Sequence, residues 1–201
     1  MEQSLTPAFL LSTWDVALPL SNFLEDLLAT PIPPNPTGMD PYIAINQQRV
    51  KRIRKTVELT GATRAAVRAM PSGLKWLVIN EHWCGDGAQI MPVVEAVEQL
   101  AGGKVEVRAL FRDQNLEVMD AFLTNGARGI PKVVGMDAQG RVYGTFGPRP
   151  EEASDLVKEI KADPDRAHTY SEVLHKWYAT DKQQAIQLEL VQDLVAAAPV
   201  M

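Results

Sequence analysis

Residues 81–87 read EHWCGDG, and this stretch contains the only cysteine of the 201-residue chain, Cys84. Residues 75–80, KWLVIN, form a short apolar run with β-branched side chains, which predicts a buried β-strand. Residues 89–100 carry apolar side chains at helical spacing, which predicts an amphipathic helix. Cys84 is therefore expected where a strand ends and a helix begins.

The predicted position of Cys84 bears on the reactivity of its thiol. At a helix N-terminus, unpaired backbone N–H groups and the helix dipole favour a thiolate over a thiol. Asp86 opposes this effect by like-charge repulsion, unless it serves mainly as a helix-capping residue. The sequence leaves the balance between these effects open. The alternative for Cys84 is a buried structural cysteine, since free cysteines are among the most buried residues.

The composition indicates one globular domain with a hydrophobic core, because 46% of the residues are hydrophobic. The net charge of −5 gives no electrostatic reason to expect nucleic acid or an anionic membrane as a partner. No apolar run approaches the roughly 20 residues that cross a bilayer, and no secretory signal is expected. A single cysteine is typical of a reducing compartment, so the expected location is cytoplasmic.

The two ends of the chain are predicted to be helical. Residues 14–28 place most apolar side chains on one face and predict a single helix, which a proline-rich connector over residues 30–38 follows. Residues 41–70 predict more helix, with a break near residues 60–62. Residues 168–198 predict one long helix or two shorter ones.

Five basic residues cluster within the second of these helical regions: Arg49, Lys51, Arg52, Arg54 and Lys55. A solvated helix face is the ordinary interpretation of such a cluster. The alternative is a site that binds an anion or a partner.

The cysteine-containing stretch resembles the active site of thioredoxins. Residues 83–87, WCGDG, are similar to the thioredoxin sequence Trp-Cys-Gly-Pro-Cys, and Pro92 stands where thioredoxins carry a helix-kinking proline. Residues 125–131, NGARGIP, resemble the thioredoxin segment that ends in a cis-proline, here Pro131. The order of predicted strands and helices over residues 70–162 is also that of thioredoxins.

The resemblance implies an α/β, thioredoxin-like fold, in which helices flank a central mixed β-sheet. We expect one domain over residues 1–201. Its core covers about residues 70–162, and residues 1–69 and 163–201 add helical extensions that pack on the sheet.

Three departures from the thioredoxin pattern limit the chemistry. Gly87 occupies the position of the second, resolving cysteine, and Asp86 replaces the intervening proline. Val78 stands where thioredoxins usually carry a buried aspartate. A cycle in which two cysteines of one chain form a disulfide is therefore excluded, and any redox chemistry is monothiol.

Two functions remain open at this point. In the first, Cys84 is the catalytic residue of a monothiol thiol–disulfide oxidoreductase. It attacks a protein disulfide or a low-molecular-weight substrate, and an external thiol such as glutathione acts as co-substrate. The resemblance assigns substrate binding to Trp83, Gly85, Asp86, Ile130 and Pro131.

In the second, the chain is a redox-inactive binding or adaptor module that uses the groove beside Pro131. One cysteine and scattered histidines predict no metal site in either case. The oligomeric state stays open.

Overall fold

A five-stranded mixed β-sheet forms the centre of the molecule. The computed structural model describes residues 5–199. The strands are β1 (Leu18–Pro19), β2 (Leu74–Asn80), β3 (Val105–Phe111), β4 (Lys132–Met136) and β5 (Val142–Phe146), in the order β1-β3-β2-β4-β5. Strands β2 and β3 are parallel, and the other pairs are antiparallel. This sheet and its flanking helices confirm the predicted thioredoxin-like fold.

Helices cover both faces of the sheet. They are α1 (Pro7–Val16), α2 (Leu20–Ala29), α3 (Asp40–Thr56), α4 (Gly61–Ala69), α5 (Gly85–Ala101), α6 (Leu116–Asp120), α7 (Glu151–Ala162), α8 (Tyr170–Asp181) and α9 (Gln184–Leu190), which continues into a π-helical turn (Val191–Val195). Within residues 5–199, no helix combines the length and the apolar character needed to cross a membrane.

Strand β2 contributes to two hydrophobic cores. Trp76 and Val78 pack in the larger core with helices that include α2, α3, α5 and α8. Leu77 and Ile79 pack in the smaller core, to which α1 and α6 contribute. Successive side chains of a strand point to opposite faces of the sheet. Both faces are buried here, so the strand is a continuous apolar run.

The prediction of one helix over residues 14–28 is wrong. Helix α1 ends at Val16, and Leu18 and Pro19 pair with β3 as an edge strand. Proline lacks a backbone N–H and disfavours the helical conformation of the residue before it, whereas an edge strand tolerates it. Pro19 therefore divides the segment into two helices.

Two other helical boundaries follow the sequence more closely. The predicted break near residues 60–62 is confirmed, because α3 ends at Thr56 and α4 begins at Gly61. Thr60 caps α4 by accepting a hydrogen bond from the backbone N–H of Thr63. The C-terminal region forms two main helices, which Lys182 and Gln183 separate with positive φ angles of 52° and 65°.

Helix α5 begins directly at the cysteine. Strand β2 ends at Asn80, and Cys84 is the N-cap residue of α5, so its predicted location is confirmed. Pro92 lies inside the helix. The strand and the helix together fix the position of Cys84 just beyond the C-terminal end of the central strand.

Candidate functional site

A cavity of about 480 Å³ lies beside Cys84. Helix α3 and the N-terminal half of α8 both border this cavity. Neither helix lies within residues 70–162, the region that resembles thioredoxins. The lining consists of residues 83–86 and 128–130, of Met39, Tyr42, Ile45 and Arg49, of Tyr170, Ser171, Leu174 and His175, and of Arg112 and Arg149.

Most of the predicted site residues meet at this cavity. Trp83, Gly85, Asp86 and Ile130 line it together with the cysteine. Pro131 follows Ile130 through a cis peptide bond, but it does not itself line the cavity. The structure therefore brings these residues together, and their roles in binding stay predictions.

The thiol of Cys84 is buried, with 6% of the residue exposed. Its Sγ donates a hydrogen bond to the Ile130 carbonyl oxygen at 3.3 Å and accepts one from the Gly87 N–H at 3.4 Å. Burial and then the negative charge of Asp86 raise the thiol pKa to about 12. The backbone N–H groups of Asp86 and Gly87 and the charge of Arg149 lower it, but by less. The effects of burial and of Asp86 are thus larger than the effect of the N–H groups at the start of α5, and Cys84 is held as a thiol.

The carboxylate of Asp86 has two side-chain partners. Arg149 donates to Oδ2 from Nε at 2.9 Å and from Nη2 at 2.6 Å. Tyr178 donates its hydroxyl hydrogen to Oδ1 at 2.9 Å. The interpretation of Asp86 as the helix cap is therefore wrong, because Cys84 is the cap and Asp86 connects α5 to α8 and to the segment before α7.

Asn80 occupies the space beside Gly87. A Cβ atom built on Gly87 would lie only 2.7 Å from the Asn80 Cγ atom. Asn80 is fully buried, and its amide donates to the Glu81 carbonyl oxygen at 2.9 Å. The chain therefore lacks the resolving cysteine, and the Asn80 side chain occupies the space where the side chain of that cysteine would lie.

Arg49 and His175 converge above the backbone next to Cys84. A Cβ atom built on Gly85 would lie 3.1 Å from His175 Nε2 and 3.2 Å from Arg49 Nη1. Burial and the positive charge of Arg49 lower the pKa of His175 to about 4, so the imidazole is neutral at pH 7. Its Nδ1 lies 3.4 Å from the side-chain nitrogen of Gln89.

Sequence reasoning missed three residues of this site: Arg149, His175 and Tyr178. The two α8 residues are three positions apart and hence on one helix face, which is a weak signal. Arg149 follows the hairpin of β4 and β5, and no motif marks it. Across residues 5–199, no three histidine, cysteine, aspartate or glutamate side chains come close enough to bind a metal ion.

Solved structures that share this fold include the following two. A protein of unknown function, PA1234, from Pseudomonas aeruginosa is 18% identical, with a TM-score of 0.65 over 92% of this chain and 94% of that one. An HIV epitope-scaffold is also 18% identical, with a TM-score of 0.63 over 90% of this chain and 94% of that one. At this identity the likeness concerns the fold alone.

A search of the curated proteins returned no match. A family model described as Thioredoxin (Thioredoxin_9) matches residues 35–162, which is more than half of the chain. The match includes α3 and α4 as well as the segment around Cys84. The chain therefore belongs to this thioredoxin family.

Proposed function

We propose that the chain is a thioredoxin-fold binding module that holds its ligand in the cavity beside Cys84 and keeps the thiol protonated. The environment of Cys84 supports this proposal most strongly. The sulfur is buried, its hydrogen is donated to the Ile130 carbonyl oxygen, and the Asp86 carboxylate lies nearby. Each of these features stabilises the thiol over the thiolate.

The small fraction of thiolate at pH 7 favours binding over catalysis. The thiolate is the nucleophile in disulfide exchange, and reactive cysteines are partly exposed, whereas Cys84 is buried. At pH 7, a thiol with a pKa of about 12 is ionised in only about one molecule in 10⁵. The site next to Gly87, which Asn80 fills, does not provide a resolving group.

A monothiol oxidoreductase is the second candidate, and the position of the sulfur favours it. Cys84 lines the cavity, and its Sγ accepts the Gly87 N–H at the start of α5. In this reaction the Cys84 thiolate attacks one sulfur of a disulfide, and the other sulfur leaves as a thiolate. An external thiol such as glutathione then attacks the mixed disulfide and releases Cys84. The reaction requires a ligand or motion that exposes the sulfur and lowers its pKa.

Both candidates use the same surroundings. Trp83, Gly85, Asp86 and Ile130 line the cavity that would hold the ligand, and Pro131 follows Ile130 directly behind this lining. The partner is a small molecule or a peptide in the binding proposal, and a disulfide in the second. We place the protein in the cytoplasm, because a single free cysteine is typical of a reducing compartment.

A disulfide-reduction assay separates the two candidates. Purified protein is added to hydroxyethyl disulfide with glutathione, and to insulin with dithiothreitol, in parallel with a Cys84→Ser variant. The binding proposal predicts that both proteins leave the background rate unchanged. A rate at least tenfold above background that Cys84→Ser abolishes would establish the oxidoreductase instead.

A further inference from the structure

We propose that the cavity beside Cys84 binds a small molecule that joins an oxyanion, a carboxylate or a phosphate, to an apolar body. Arg49 is the residue that binds the oxyanion. The proposal rests on the binding function proposed above and names the class of ligand for the same site.

The charge of the cavity differs in sign from that of the protein. The chain carries a net charge of −5, but four arginines and one aspartate line the cavity. A cleft with an excess of charge of one sign concentrates ligands of the opposite sign. An anionic ligand therefore fits this cavity better than a neutral or cationic one.

Three of the four arginines already have a carboxylate partner at 2.6–2.8 Å: Arg149 with Asp86, Arg128 with Asp120, and Arg112 with Asp113. Arg49 differs from them, since no carboxylate of residues 5–199 forms an ion pair with it. It is the cavity arginine whose charge remains for a ligand.

The geometry of Arg49 suits an oxyanion. Its Nη1 donates to Asn46 Oδ1 at 2.8 Å, and the Asn46 amide in turn donates to the His82 carbonyl oxygen at 2.9 Å. These contacts hold the partly buried guanidinium over Gly85, beside the cysteine.

The Asp86 carboxylate attracts Arg49 electrostatically, but it accepts hydrogen bonds from Arg149 and Tyr178 rather than from Arg49. A partly buried guanidinium without a bonded anion is unfavourable, whereas a carboxylate or phosphate matches its forked donors.

The rim of the cavity suits an apolar body. Met39, Tyr42 and Ile45 are 51%, 53% and 48% exposed, so three large apolar side chains face solvent together at this rim. Exposed apolar patches of this kind mark binding sites. The volume of about 480 Å³ lies within the range of about 300–1,000 Å³ that is common for small-molecule pockets.

Titrations with matched compounds test this proposal. The isotope-labelled full chain is titrated with 3-phenylpropionate, with phenyl phosphate and with the uncharged 3-phenylpropionamide, and amide resonances are followed by NMR. We expect at least one anion to shift the resonances of residues 83–86 and to bind at least tenfold more tightly than the uncharged amide. The tighter of the two anions identifies the preferred oxyanion.

Variants assign the effect to Arg49. We expect Arg49→Gln to weaken anion binding at least fivefold. Arg49→Lys keeps the charge but loses the forked donors, so it should weaken binding to a smaller extent. Arg52→Gln removes the same charge from an exposed position of the same helix, outside the cavity, and should change the affinity less than twofold. Dispersed NMR spectra verify that each variant is folded.

The outcomes separate this inference from the proposed function. If the uncharged amide binds as tightly as the anions, or if folded Arg49→Gln and Arg49→Lys both keep full affinity, anion recognition by Arg49 is wrong while the binding function stands. If none of the compounds binds, the inference is overturned and the binding function loses its support as well.

Discussion

The hydroxyl group of Tyr178 donates a hydrogen bond of 2.9 Å to Asp86 Oδ1, two residues after the cysteine. Tyr178 lies in α8 and is only 1% exposed. Helix α8 is therefore part of the site, because it contacts the first turn of α5 through a buried polar group. The contact also holds in place the Asp86 carboxylate, whose charge raises the pKa of the Cys84 thiol.

Removal of the tyrosine hydroxyl group should weaken this connection. We expect Tyr178→Phe to lower the free energy of unfolding by about 1.5–3 kcal/mol, the range for a hydrogen bond to a charged group. Cys84 should also be alkylated faster, because α8 leaves the site more often. Urea unfolding and iodoacetamide labelling measure the two effects. Tyr42→Phe, at an exposed position, should change neither, and equal stability of Tyr178→Phe and wild type would contradict the assignment.

Neutralising Asp86 should shift the titration of the thiol. The Asp86 charge raises the pKa of Cys84 and the Arg149 charge lowers it. We therefore expect Asp86→Asn to lower the thiol pKa by at least one unit, which an alkylation profile against pH measures. Stability should fall by about 2–4 kcal/mol, because Arg149 loses its partner. Asp120→Asn, an exposed carboxylate, is the matched control, and an unchanged thiol pKa in Asp86→Asn would refute this explanation.

A methyl group at position 87 should clash with Asn80. We expect Gly87→Ala to lower the free energy of unfolding by about 1–3 kcal/mol, the usual cost of overpacking. Gly61→Ala is the control, because nothing lies within 4 Å of a Cβ atom built there. Chemical unfolding of both variants measures the difference. The clash is excluded if Gly87→Ala is as stable as Gly61→Ala.

Stability should decrease in mild acid because of His175. Its pKa is about 4 in the folded chain, below its ordinary value of 6.5. Between these values the unfolded chain binds a proton that the folded chain does not, so stability falls as the pH decreases from about 6.5 to 4. Partial exposure limits the effect to about 1–2 kcal/mol.

Unfolding experiments at several pH values test this contribution. We expect a His175→Asn variant to lose less stability than wild type between pH 6.5 and pH 4. Identical losses in the two proteins would show that His175 does not contribute.

Local patterns in the sequence were sufficient to predict the centre of the fold. Strand β2, helix α5 and the cysteine between them lie within one short segment, whose apolar spacing indicates both elements. The helix predicted over residues 14–28 failed because the spacing of apolar residues outweighed Pro19 in that prediction. In the structure, Pro19 interrupts the helix despite the helical spacing of the apolar residues around it.

Such local patterns could not predict the side chains that bind Asp86. Arg149 and Tyr178 are 63 and 92 residues away along the chain, and only the packing of the C-terminal helices brings them to α5. In the sequence, Arg49 is only one member of a basic cluster. It is the one member of that cluster that lines the cavity, which depends on the helix face that borders it. The charge balance around Cys84 therefore required the three-dimensional structure.

The pH dependence of iodoacetamide alkylation of the native protein shows whether Cys84 is held as a thiol. Cys84 is the only cysteine, so the titration reports a single thiol. We expect slow labelling at pH 7, an apparent pKa above about 9, and at least tenfold faster labelling after unfolding in urea. Rapid labelling of the native protein with an apparent pKa below about 7.5 would contradict this expectation and would identify Cys84 as a reactive thiolate.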